Sequence, residues 1–234
     1  MSNIEIVELT EIPLKSRTIV TGLAGAGFVG NTALMQAVRA KGFKQVGYVH
    51  GSNMPPMMIL VDGKPSHSFR IYTDPSDEYM FLVTEAILQA EAAWEMGHEL
   101  ISWLMEKGLK EIIAIEGFPF AQKGVYGFTT GTKNLLGYGI QPISEGAMSG
   151  VNASLLFEAM DEDIDWTTVF VPARLIGSID YQGAFEAVQV LNTMFNMGIE
   201  ADQLKRTAEA VAKAAELQQQ RRRGGGGLLG RIFP

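Results

Sequence analysis

The sequence predicts an α/β protein, and three observations carry that prediction. Short β-like apolar runs alternate with helical patterns through the first 170 or so residues. Several of those runs stop at glycines or turn residues, as strands feeding helices do. The C-terminal third then reads as helix alone, with apolar residues at three-and-four spacing.

Element by element, Arg17-Thr-Ile-Val-Thr-Gly22 reads as a strand ending in glycines, and Phe28 to Lys41 as a helix closed by Gly42. Gln45 to His50 is a second strand. Met57 to Val61 and Ser66 to Thr73 flank Asp62-Gly63-Lys64-Pro65 and predict a hairpin. Glu78 to Thr84 is a further strand. In the helix that follows, Met96, Leu100, Trp103 and Leu104 share a face, and Gly108 stops it. Glu111-Ile-Ile-Ala-Ile-Glu116 has the continuous apolar character of a buried strand. The glycine- and threonine-rich stretch Gly124 to Gly139 reads as loop, Ser149 to Met160 as helix, and Thr167 to Pro172 as strand.

Two helices close the chain. The first carries Ala184, Val188, Leu191 and Phe195 in one stripe beside Ala187, Val190 and Met194, a wide apolar arc, and Gly198 ends it. The second begins near Asp202, with Leu204, Ala208, Val211 and Ala215 on one face, and is expected to run out near Gln220. Residues 1–220 are thus read as one folded domain and 221–234 as a tail.

Composition narrows the function. Hydrophobic residues make up 47% of the 234 and charged residues 19%, enough for a sizeable core. Cysteine is absent, which removes disulfides, thiolate metal sites and cysteine nucleophiles. No secretory pattern opens the chain, and no apolar segment approaches the roughly 20 residues of a membrane span. A cytoplasmic protein without membrane contact is expected. The net charge is −7, and Arg221, Arg222, Arg223 and Arg231 are the only charged residues of the last fourteen. The remainder carries 15 basic against 26 acidic residues, an acidic body unsuited to binding nucleic acid.

Searches for chemistry find little. Gly25-Ala26-Gly27-Phe28-Val29-Gly30 matches GxGxxG between a strand and a helix, a setting for a dinucleotide or a phosphate. The acid that would hold a ribose is missing, since the next strand ends Tyr48-Val49-His50-Gly51. Tight packing of helix on strand explains the same glycines. There is neither a GxSxG nucleophile elbow nor a GxxxxGK[ST] loop. His50, His67 and His98 have no metal-ligand spacing and read as surface or loop residues. Glu116, at a strand end before Gly117-Phe118-Pro119, sits where open-sheet sites lie, or caps the next element. Asp161 to Asp165 lacks the glycine and distal glutamate of a calcium loop. Asn152-Ala-Ser is a glycosylation sequon by pattern only. No catalytic residue, metal or cofactor is expected.

The tail is the unusual feature. Gly224 to Gly227 form a hinge, followed by Leu228-Leu229-Gly230-Arg231-Ile232-Phe233-Pro234. Apolar residues beyond such a hinge call for a receiving surface. The arm from Gly224 reaches at most roughly 36–40 Å, with a coil average of roughly 17–20 Å. Its destinations are a partner, the protein's own body or, more weakly, a membrane surface.

Four segments together resemble the proteasome assembly chaperone family, in its archaeal branch: Gly22 to Gly30, Glu116-Gly-Phe-Pro, Ser149-Gly-Val-Asn-Ala-Ser-Leu-Leu156, and Asp180-Tyr-Gln-Gly-Ala184. The resemblance covers most of residues 15 to 220. It implies a three-layer α/β/α sandwich similar to nucleoside phosphorylases but without their catalytic residues, and homo-oligomers that bind the proteasome core particle. It also implies a C-terminal hydrophobic–Tyr–any tripeptide that docks between α-ring subunits, here Ile232, Phe233 and Pro234. Phe233 departs from that pattern by lacking the tyrosine hydroxyl. An ATP-independent assembly chaperone or activator follows. The other readings are a phosphorylase- or hydrolase-like enzyme using Gly25, Gly27, Gly30 and Glu116, and a scaffold whose tail swaps between subunits.

Overall fold

The computed structural model describes residues 3–12, 18–119 and 123–225, the last eight of these by backbone alone. Among them, nine strands form one twisted sheet in the order β1-β3-β6-β7-β2-β8-β11-β9-β10. Their ranges are β1 Ile4–Glu8, β2 Thr18–Gly22, β3 Lys44–Gly51, β6 Phe69–Thr73, β7 Tyr79–Thr84, β8 Glu111–Phe118, β9 Val125–Thr129, β10 Ile140–Pro142 and β11 Asp165–Pro172. The hairpin β4 (Met58–Val61) and β5 (Lys64–His67) stands apart as its own ribbon. At the centre, β7, β2, β8 and β11 run parallel. The flanks on both sides are joined through antiparallel pairs.

Side-chain alternation along the central strands builds two cores. On β8, Ile113 and Ile115 enter one and Ile112 and Ala114 the other, and Val20 and Ile19 of β2 divide the same way. The first core is closed by α1 (Val29–Lys41), α4 (Tyr181–Phe195) and the start of α5 (Asp202–Gly225). The second is closed by α2 (Ala90–Glu106) and α3 (Val151–Asp161). Covering both faces makes a three-layer α/β/α sandwich and explains why β8 is apolar without interruption from Ile112 to Ile115. Helices α2 and α3 cross at Gly97, where an added Cβ would lie 2.0 Å from Ser154 Oγ.

The expected elements form, with five differences. The presumed loop at 124–139 contains β9, because Gly127 lies flat against β11: a Cβ there would meet the Thr168 carbonyl oxygen at 2.4 Å. Glycine marks a close strand approach here rather than a loop. The hairpin turn is the two residues Asp62 and Gly63, both left-handed (φ 50° and 76°), so Lys64 and Pro65 belong to β5. The expected strand from Ser66 to Thr73 breaks at Ser68 into β5 and β6. Helix α4 stops at Asn196 (φ 52°), two residues before Gly198. Helix α5 continues five residues past Gln220 to Gly225, because glutamine and arginine propagate a helix without an apolar stripe.

Helix α5 also meets the body less than its sequence stripe suggests. Leu204 and Ala208 are buried, but every described side chain from Glu209 to Leu217 is exposed, Val211 and Ala215 among them. At 1.5 Å per residue, the helix from Glu209 to Gly225 runs for about 24 Å. No helix among the described residues is long and apolar enough to cross a membrane.

Candidate functional site

The candidate site is a cleft of about 780 Å³ at the C-terminal ends of β2 and β8, the position where open parallel sheets bind ligands. Its floor comes from Leu23 to Ala26, from Glu116 to Phe118 and from Phe170. One wall is the start of α2 with the segment before it, and the opposite wall is Ala147 to Ser154 at the start of α3. Glu116 is the one titratable side chain among the described lining residues, since no Asp, Lys, Arg, His or Tyr joins it.

A short chain of hydrogen bonds fixes that acid. Thr21 Oγ1, on β2, donates to Asn152 Oδ1 at 2.8 Å. Asn152 Nδ2, in the first turn of α3, donates to Glu116 Oε1. Burial pushes the Glu116 carboxyl up to about 7, and the Asn152 amide only partly offsets it by favouring the ionised form. The other carboxylate oxygen faces Gly25, where a Cβ would stand 3.0 Å from Glu116 Oε2.

The glycines of the GxGxxG turn have separate tasks. Gly25 alone of the three borders the cleft. Gly27 has φ 65°, and its added Cβ would strike the Leu175 carbonyl at 2.8 Å. Gly30 presses on β8, its Cβ position only 2.2 Å from the Ile115 carbonyl oxygen. The structure therefore places Gly27 and Gly30 in close packing contacts and Gly25 beside the cleft.

Behind the turn, Asp180 joins three pieces. Its backbone N–H donates to the Gly27 carbonyl at 2.8 Å. Its carboxylate caps α4 by accepting from the Gly183 N–H at 2.9 Å, and also accepts from the Arg174 and Leu175 N–H groups. The four sequence segments singled out above thus meet in space. Three line the cleft, and the fourth buttresses the turn that forms its floor.

The remaining candidates lie elsewhere. His50 pairs with Glu5 at 3.2 Å, His98 with Glu158 at 3.2 Å, and His67 stacks on Tyr48 with ring centroids 3.6 Å apart. Of the hinge, Gly224 and Gly225 are the last residues of α5. Gly226, Gly227 and the docking residues Ile232, Phe233 and Pro234 lie outside the described residues.

Two features escaped the sequence reading. Asn152 was visible as a sequon and as part of the Ser149–Leu156 segment, but nothing in its spacing announced a partner 36 residues away on β8. Arg70, fully buried on β6, makes a two-pronged pair with Glu85 at 2.7 and 2.9 Å and donates to Tyr72 Oη at 2.9 Å. A lone arginine in an apolar run was the sole signal.

Comparison with known proteins agrees with this architecture. The solved structure of Pyrococcus furiosus PbaA, an archaeal homolog of proteasome-assembly chaperone, superposes with a TM-score of 0.81 at 20% identity, covering 97% of this chain and 96% of that one. Pyrococcus furiosus PbaB, an archaeal proteasome activator, gives 0.78 at 16% identity over 94% and 100% of the two chains. An uncharacterized protein of Methanocaldococcus jannaschii is 23% identical over 216 residues, 90% of this chain and 89% of its own. The family model described as PAC2 matches residues 19–220. The chain belongs to the PAC2 family.

Proposed function

We propose that the protein is an ATP-independent, cytoplasmic binding partner of the proteasome core particle, acting as an assembly chaperone or activator. In this reading it self-associates and docks several C-terminal tails between α-ring subunits. The observation that carries the reading is the PAC2 match over residues 19–220, with the whole-chain likeness in fold to PbaA and PbaB. The second half of α5 supports it, because side chains that stay exposed from Glu209 to Leu217 leave that stretch of helix at the surface. The nine residues after Gly225 add a reach of at most roughly 30–32 Å.

Ile232 and Phe233 would fill an apolar groove, while the Pro234 carboxylate meets a pocket cation. Each tail alone binds weakly, and several on one oligomer reinforce one another through effective concentration. Differential binding to an assembled or open ring needs no nucleotide and no cofactor.

The cleft is the feature that would favour an enzyme. Among its described lining residues, however, there is one acid, with no second acid–base group and no cationic side chain to neutralise a phosphate. A binding protein remains the better reading. The test is to mix the purified protein with a proteasome core in the absence of nucleotide, following co-sedimentation and hydrolysis of a fluorogenic peptide. Co-sedimentation is expected, and faster hydrolysis would identify the activator role. No association at micromolar concentrations would refute the proposal.

A further inference from the structure

Among the described residues, the cleft floor holds an acid without a counter-charge. Glu116 receives one hydrogen bond, from Asn152, and no cationic side chain lines the cavity among the described residues. Elsewhere such carboxylates meet either a cation, as Glu85 meets Arg70, Glu8 Lys107, Glu111 Lys133 and Glu186 Arg174, or several N–H donors, as Asp74 and Asp180 do. A desolvated carboxylate without such a partner is stabilised by any cation that can reach it. The second oxygen, Oε2, faces Gly25, whose missing side chain leaves room beside it.

The mouth of the cleft has matching chemistry. Trp94 and Phe157 pack edge to face with centroids 5.2 Å apart, yet they stay 52% and 55% exposed, and the neighbouring Ile87 is 63% exposed. All three line the cavity. Large side chains left in water around a polar floor mark a binding mouth. Aromatic faces attract cations and accept apolar stems equally well.

We infer that this cleft is a receptor for a single positively charged nitrogen carried on an apolar stem, an ammonium, amidinium or guanidinium group, with Glu116 as its acceptor and Trp94 and Phe157 against its stem. The group can arrive on a free organic amine or as the lysine or arginine side chain of a peptide, and both present the same chemistry. Binding deprotonates whatever fraction of Glu116 still carries its proton, and that proton leaves to solvent. Among the described lining residues no other side chain titrates, so Glu116 sets the pH dependence expected here. The inference concerns the body of the protein and stands apart from the tail, so neither outcome below bears on proteasome docking.

Benzamidine, with neutral benzamide as its isostere, tests the site by calorimetric titration of the full chain. Saturable benzamidine binding is expected, at least tenfold tighter than benzamide. Raising the pH from 6 to 8 should tighten it roughly tenfold as Glu116 ionises. Glu116→Gln should abolish the preference for the cation, and Trp94→Ala, at an exposed position that does not threaten the fold, should weaken binding several-fold. A capped arginine pentapeptide binding more tightly than benzamidine would identify a side-chain source, and the reverse order a free amine. Equal affinity for benzamide and benzamidine, an unchanged preference in Glu116→Gln, or no saturation at millimolar benzamidine would overturn the inference.

Discussion

Replacing Glu116 by glutamine should stabilise the protein in neutral and alkaline solution and leave it unchanged in acid. The cause is the carboxyl's position: burial lifts it from an ordinary value of 4.5 to about 7. An acid whose folded value is raised binds more protons when folded than when unfolded. Its contribution is therefore complete below about 4.5 and lost progressively as pH rises through 7. A difference of about 2.5 units corresponds to about 3 kcal/mol. Glutamine has no charge to desolvate, and its side-chain oxygen can still accept from Asn152 Nδ2. Urea denaturation of both proteins at pH 4.5, 6 and 8 isolates this effect, because all other titrating groups are common to the pair. The variant should match the native protein at pH 4.5 and exceed it by about 3 kcal/mol at pH 8, or roughly 6–12 °C in Tm for a chain of this size. A stability difference that does not change with pH would refute the desolvated-acid account.

Other outcomes follow from the packing. Gly30→Ala places a methyl 2.2 Å from the Ile115 carbonyl oxygen and should cost at least about 3 kcal/mol or prevent folding, read by circular dichroism and melting. Glu85→Ala leaves the fully buried Arg70 guanidinium without its partner and should destabilise by about 3–5 kcal/mol in chemical denaturation. Phe233→Tyr restores the hydroxyl that the tail pattern calls for; one hydrogen bond of about 0.5–1.5 kcal/mol should tighten proteasome-core binding several-fold, measured by surface plasmon resonance.

The parts of the fold that follow local rules were legible in the sequence. Strand β8 announced itself by four apolar residues in succession between two glutamates, and α1 by its apolar spacing and the left-handed Gly42 that caps it. Strand β9 was hidden because Gly127 serves a neighbouring strand, a reason that exists only once β11 lies beside it. The reach of α5 was understated because its turns from Glu209 to Leu217 keep helix while their side chains stay exposed. Within the site, Glu116 was visible from its place at a strand end. Its partner Asn152, and the Thr21 hydroxyl that holds that amide, come from other elements, and only the fold brings them together. The GxGxxG pattern resolved into packing for Gly27 and Gly30, since the pattern specifies backbone proximity without naming what approaches.

The central claim, docking through the last three residues, is tested most directly by titrating a proteasome core with the full chain and with a chain ending at Arg231. Both proteins should melt at the same temperature, because the residues of the two cores, among those described, come no later in the chain than Leu204. The account predicts that the full chain binds in the absence of nucleotide and that the shortened chain loses binding by a factor of ten or more. Equal binding by the two would contradict it.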